Sequence, residues 1–188
     1  MTNSPFEKLL ENGNKVVADS YVLIQPTPHV APAAYFHVIY SSLNESEISE
    51  IESLIQRQIP GDLVEFYKIH NGCQLFSGAL SVDGLRRNTS RTVDASRQPF
   101  SMVTPNIDER IKNSPTNAVF FGGYDWDGSL LYCMPNAKEI FRCNRDSAEP
   151  INQWPSLDDF FSSEIERLSK LFTGDGRQID EDRPTTPD

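Results

Sequence analysis

His70 and Cys73 are the only imidazole and thiol close together in the sequence. A Cys–His nucleophile needs the imidazole within hydrogen-bond reach of the sulfur and a third group to orient it. The same residues serve as well as a helix-end His and a small buried Cys, and that reading is preferred. Asp125-Trp126-Asp127-Gly128 sets two carboxylates in a turn, which raises the question of a metal. A calcium loop of the EF-hand type needs further oxygen ligands and a Glu at its twelfth position, and Met134 to Ala137 offers none. Asp127-Gly128 is sufficiently explained as a hairpin turn. Trp126 between two carboxylates has the composition of a binding hot spot; the alternative is a Trp folded back onto the sheet. Gly122-Gly123 is followed by no Lys and no predicted helix, so it is not read as a phosphate loop. Asp158, Asp159, Glu164 and Glu166 fit helix-start charges and a solvated face better than paired catalytic carboxylates. Cys73, Cys133 and Cys143 are odd in number and lack C-x-x-C spacing, so neither a disulfide framework nor a zinc site is expected. No catalytic residue, metal or cofactor is assigned.

The chain carries a formal net charge of −10 and a pI near 4.7. Backbone phosphates repel such a surface, which argues against direct nucleic-acid binding. A basic protein partner suits it, through faster encounter and rejection of wrong partners; the plainer alternative is that the acidity only keeps the domain soluble. The opening MTNSPFEKLLENGNK lacks the basic start and apolar run of a secretory signal. No stretch approaches the ~18 apolar residues of a membrane helix. A cytoplasmic location is expected. With 188 residues there is room for one domain that buries roughly 70% of its unfolded surface, without help from disulfides or metal.

Local signals place the elements. Ser4 and Pro5 open a short helix with Phe6, Leu9 and Leu10 inward, ended by Asn12-Gly13-Asn14. Val16 to Ile24 and Ala34 to Tyr40 read as strands, separated by a proline-broken loop from Gln25 to Pro32. Asn44 with Glu47 forms a capping box ahead of the stripe Ile48, Ile51, Leu54 and Ile55. Pro60-Gly61-Asp62 starts a second helix burying Leu63, Phe66, Tyr67 and Ile69, stopped by Asn71-Gly72. Gln74 to Leu80 is extended, and Val82-Asp83-Gly84 turns. Leu85 to Ser114 is polar, with Arg86, Arg87, Arg91 and Arg97 in its first half. It reads as a solvated loop, or otherwise as a lid or partner-contacting insert. Three strands follow as an antiparallel meander: Ala118–Tyr124, Ser129–Met134 and Lys138–Cys143, the last more exposed because of Lys138 and Arg142. Trp154 reads as core or as a strap under the last helix. Ser156 with Asp159 caps that helix, whose stripe runs Leu157, Phe160, Phe161, Ile165, Leu168, Leu171 and Phe172. Residues 173–188 have no apolar anchor and are expected to be a disordered acidic tail.

The order of these signals resembles the SUKH superfamily, in particular its SMI/KNR branch. Residues 48–72, ISEIESLIQRQIPGDLVEFYKIHNG, resemble that branch's acidic helix, Pro-x-Asp entry, Phe/Tyr-rich helix and Asn-Gly stop. Residues 119–131, VFFGGYDWDGSLL, resemble its Phe-Gly strand and acidic-Gly turn, and residues 151–172 its closing strand end, Trp and helix. The resemblance spans residues 44–172, with 1–43 as an added helix and strands and 85–114 matching only in position. It implies one α+β domain over residues 1–172, an antiparallel or mixed sheet with helices mainly on one face. It implies a binder without enzymatic activity: an immunity protein that neutralises a cognate toxin, or, as the alternative, a regulatory scaffold binding an endogenous protein as in cell-wall assembly. The partner would be that toxin or another protein, basic in character, with no nucleic acid or membrane. Tyr124, Asp125, Trp126 and Asp127 are the expected contact residues, with Glu45, Glu47 and Glu50 supplying steering charge.

Overall fold

The computed structural model describes Phe6, Lys8, Leu9, residues 13–90 and residues 92–188. Ser4, Pro5, Leu10, Asn12 and Arg91 lie outside the described residues. Phe6, Lys8 and Leu9 are helical, with Phe6 buried against Phe66 and Phe161. Nine strands follow in chain order: β1 (Lys15–Val17), β2 (Tyr21–Pro26), β3 (Tyr35–Tyr40), β4 (Cys73–Leu75), β5 (Leu80–Val82), β6 (Val119–Tyr124), β7 (Leu130–Cys133), β8 (Ile140–Asn144) and β9 (Ser147–Trp154). They pair in that same order, each antiparallel to the next. With the helices this is an α+β fold, and of the two expected sheet types the antiparallel one is present.

Several strand boundaries differ from expectation. The apolar run Val16–Ile24 is a hairpin, β1 turning into β2 at Ala18–Ser20, where Ala18 N–H donates to the Tyr21 carbonyl. Gln74–Leu80 likewise breaks into β4 and β5, because Phe76 and Ser77 adopt positive φ at the bend. The first turn contains no Gly or Pro to reveal it; the second contains Gly78, at φ +93°. Lys138 precedes β8.

Helix α1 (Glu45–Ile55) begins as its sequence demands: the Asn44 side chain accepts from Glu47 N–H while the Glu47 carboxylate accepts from Asn44 N–H. It buries Ile48, Ile51 and Ile55, whereas Leu54 is exposed. Helix α2 (Gly61–Tyr67) buries Leu63, Phe66 and Tyr67. Ile69 lies past its end and is exposed. Helix α4 (Leu157–Ser169, following the short α3, Val93–Ser96) sends Leu157, Phe160, Phe161, Ile165 and Leu168 into the same core. At its start Ser156 Oγ accepts from Asp159 N–H and its hydroxyl donates to the Asp159 carboxylate, so Asp159 closes the cap on the side chain. Trp154 is half-buried and meets Phe160 edge-on at 5.0 Å. These helices share one core with Val119, Phe121, Leu131 and Cys133, while Phe120, Tyr132, Ile111 and Cys143 make a second cluster. Strand alternation produces that division.

Segment 85–114 is the main correction to the solvated-loop reading. Leu85, Ala95, Met102 and Ile111 are buried, and Thr104–Asp108 forms a π-helical turn. Two asparagines fasten the segment where strand pairing stops. Asn71 accepts from Leu85 N–H at 2.6 Å and donates to the Leu85 carbonyl at 3.0 Å. Asn106, fully buried, does the same for Phe120, accepting its N–H at 3.0 Å and donating to its carbonyl at 2.6 Å. Each amide supplies the donor and acceptor that a neighbouring strand would have supplied. Arg86 is spent on the carbonyls of Ala95 and Pro99, and Arg97 on that of Ala33, so the basic character foreseen there is largely structural.

Residues 173–188, read above as a disordered tail, lie along the body in this structure. Ile179 N–H donates to the Leu171 carbonyl, and Thr185 and Thr186 are buried.

Asp83 follows β5, with its N–H on the Phe121 carbonyl and its own carbonyl accepting from the Tyr67 hydroxyl at 2.8 Å. Burial pushes its carboxyl up to about 7. Below pH ~4 the folded and unfolded chains both hold this proton; between ~4 and ~7 only the folded chain does, so stability falls as pH rises through that window. Asp83→Asn removes the dependence. Its stability advantage over the parent is expected to grow from near zero at pH 4 to at most roughly 4 kcal/mol above pH 7, in urea unfolding at stepped pH.

Candidate functional site

The turn joining β6 to β7 is made by Asp125, Trp126, Asp127 and Gly128. Gly128 takes φ +69° and its N–H donates to the Tyr124 carbonyl, which closes the turn. Asp125 N–H donates to the Ala79 carbonyl, tying the turn to the β4–β5 bend. Gly122 and Gly123 let the neighbouring strands close in, since a Cβ on either would collide with the carbonyl of Ser81 or Ser129.

Beneath the turn lies Arg142, which is buried, not at an exposed edge as its charge had suggested. Its Nε donates to Ser129 Oγ at 2.8 Å, one Nη to the Asp127 carboxylate at 2.6 Å, and the other to Asn152 Oδ1 and the Pro187 carbonyl. The guanidinium also sits 5.3 Å from the Tyr124 ring centre. Asp127 accepts in addition from Ser129 N–H at 2.9 Å. Burial pushes the Asp127 carboxyl up, but the hydrogen bonds from Ser129 and Arg142 outweigh it and hold the group below its ordinary range. Tyr124 is buried too, its hydroxyl donating to Glu164 at 2.7 Å, and Glu164 is neutralised by Arg167 at 2.6 Å.

The four expected contact residues therefore divide. Asp125 is exposed and Trp126 is 45% exposed, whereas Tyr124 and Asp127 hold the turn from below and behind. Trp126 is not folded back onto the sheet. The steering residues lie on α1. Glu47 and Glu50 both pair with Arg87, at 3.1 and 3.0 Å, and Glu45 is exposed. Glu47 is also held below its ordinary range, first by the Asn44 N–H and then by Arg87. Arg142, Asn152, Glu164 and Arg167 are positioning residues that sequence reasoning missed. The available signal was strand register: an Asp-Gly hairpin followed by antiparallel β8 sets Arg142 opposite Leu131, two residues from Ser129.

Elsewhere the chemistry recedes. Cys73 is fully buried and burial pushes its thiol far up, so it is held as the unreactive protonated form. His70 packs against Phe6 and Phe66 with tilted rings, and burial lowers its affinity for a proton. Among the described residues no three His, Cys, Asp or Glu side chains converge to hold a metal, and no helix is long and apolar enough to cross a membrane.

The two carboxylates of the turn should separate in a denaturation experiment. Asp127→Ala strands the buried guanidinium and is expected to cost about 3 kcal/mol. Asp125→Ala removes a solvated group and should fall within about 0.5 kcal/mol of the parent.

No curated protein matches the chain. The model of the SMI1 / KNR4 family (SUKH-1) matches residues 42–163, a span running from the cap of α1 through the Trp126 turn and Arg142 into α4. Because that match covers more than half of the sequence, the chain belongs to the SMI1 / KNR4 family (SUKH-1).

Proposed function

We propose that this chain is a non-enzymatic, cytoplasmic protein-binding domain: an immunity protein that neutralises a cognate bacterial toxin by direct contact. Family membership supports a binding or regulatory role in general; the choice of immunity protein is ours. The observation that carries it is Trp126, a large aromatic held half out in solvent on a turn whose every other support is spent internally. A preformed aromatic anchor is the usual form of a hot spot, since it binds with little loss of side-chain freedom. Asp125 beside it is free to pair with a basic partner. With a formal charge of −10, the remaining surface would draw such a partner in.

Protection by occupancy requires a dissociation constant of ~nM or better. The direct test is to express the C-terminal region of the protein encoded beside this gene, with and without this chain, and score growth. Toxicity relieved by co-expression is the expected result. Toxicity without relief would move the weight to a regulatory scaffold for an endogenous protein. Trp126→Ala should weaken the complex by at least about 2 kcal/mol and leave thermal unfolding nearly unchanged; equal losses in both would make the Trp a structural residue.

The ion pairs on α1 add a kinetic expectation. Arg87→Gln releases Glu47 and Glu50, so association with a basic partner should accelerate at low salt and lose that advantage as salt rises. Stopped-flow association rates across a salt series measure this, and identical rates at low salt would remove α1 from the steering surface.

A further inference from the structure

The main-chain oxygens of the four consecutive residues 185–188 are each held by a side chain. Arg167 donates to Thr185 O at 2.7 Å and to Thr186 O at 3.3 Å, Arg142 to Pro187 O at 2.8 Å, and Asn152 Nδ2 to Asp188 O at 2.9 Å. Thr185 and Thr186 are buried, whereas residues 179–184 before them are all exposed. An anchored tip thus follows a solvated tether. The donors do not depend on that tip for their own placement. Arg167 keeps its pair with Glu164, and Arg142 keeps Asp127, Ser129 and Asn152. Contacts of this kind hold a segment by its main-chain oxygens, and here the Thr185 and Thr186 side chains are buried as well. Arg142 is also the residue that fixes the Trp126 turn, so the track and the turn are continuous.

We propose that Arg167, Arg142 and Asn152 form a docking track for a short peptide segment held by its main-chain oxygens, occupied in cis by Thr185–Asp188, and that a segment of the protein partner takes the track by displacing them. The proposal rests on the binding reading above and names the kind of contact: a basic surface meets the acidic face while a short segment held by its main-chain oxygens enters the track under the Trp126 turn. Tethering holds the cis segment at an effective concentration of ~mM, so modest intrinsic affinity keeps it seated and still lets a tighter segment replace it.

The test begins with the whole chain. A protease-recognition sequence replaces the exposed residues 180–183, the intact protein is folded and purified, and the tether is then cut. The fragment should leave on dilution, with the body retaining its circular dichroism. The amide of Ser129 and the Nε–H of Arg142 should shift in the NMR spectrum. A synthetic peptide of residues 181–188 should then restore both signals saturably, with a Kd of ~mM or tighter. Against the toxin domain of the growth assay, the emptied body should bind at least tenfold more tightly than the uncut chain. A body that unfolds, a fragment that stays through dialysis, or an emptied body blind to the peptide would each overturn the track. Equal affinity of cut and uncut chain for the toxin would overturn the displacement. The peptide arm uses no toxin, so its failure is distinct from failure of the immunity reading.

Discussion

Strand β6 is buried along all six of its residues, and a buried strand must find partners for its backbone on both edges. Strand β5 meets it over Tyr124 to Gly122, and β7 meets it on the other side with a register shift between Phe120 and Gly122. Beyond the reach of β5, Phe120 has an N–H and a carbonyl to place, and Asn106 takes both. That requirement explains why a polar-looking segment crosses the molecule: it must deliver one amide to one depth. Met102, packed against the Tyr67 hydroxyl, and Ile111, in the second cluster, hold it there. Leaving that buried N–H and carbonyl unmet would cost about 1–3 kcal/mol for each group.

The rigidity of β6 passes directly to the turn at its end. A turn on a frayed strand would have to be ordered each time a partner bound, at a cost in conformational entropy. Here Tyr124 and Ser129 are fixed by the sheet, and Arg142 reaches across from β8 to fix Asp127. The buried guanidinium is itself expensive, because several kcal/mol of hydration are lost. The cost is offset by four acceptors and an aromatic face arranged around it. An arrangement that specific positions Trp126, which makes no comparable contact itself. The turn thus presents Trp126 and Asp125 on a polar support anchored by the buried Arg142.

What the sequence made legible was local. The capping box of α1 and the Asp-Gly hairpin are each decided by neighbours within a few residues, so their chemistry can be read directly; α2 instead ends at Tyr67, short of the expected stop at Asn71-Gly72. The amphipathic stripe of α4 was readable for the same reason. Leu54 was misplaced because it stands one step off the buried arc of α1, and Ile69 because α2 ends at Tyr67, before reaching it. Asn106 and Arg142 were illegible in a deeper sense. A polar residue amid polar neighbours, or an Arg in a strand, is normally solvated, and only tertiary pairing across fourteen or fifteen positions reveals otherwise. Residues 173–188 belong with them: nothing in their composition anticipates donors waiting on β8, β9 and α4.

Charge and contact are separable in this molecule. Net charge acts over a Debye length and depends little on which carboxylates carry it. Glu47 and Glu50 are partly spent on Arg87, and Asp127 on Arg142, so the acidic residues most fixed in place contribute least to an approaching partner's field. Glu45 and Asp125 are solvated and stand outside those pairs. Charge of this kind acts at a distance and has no shape, so under the binding reading proposed above specificity would fall to the turn that β6 and Arg142 hold in place.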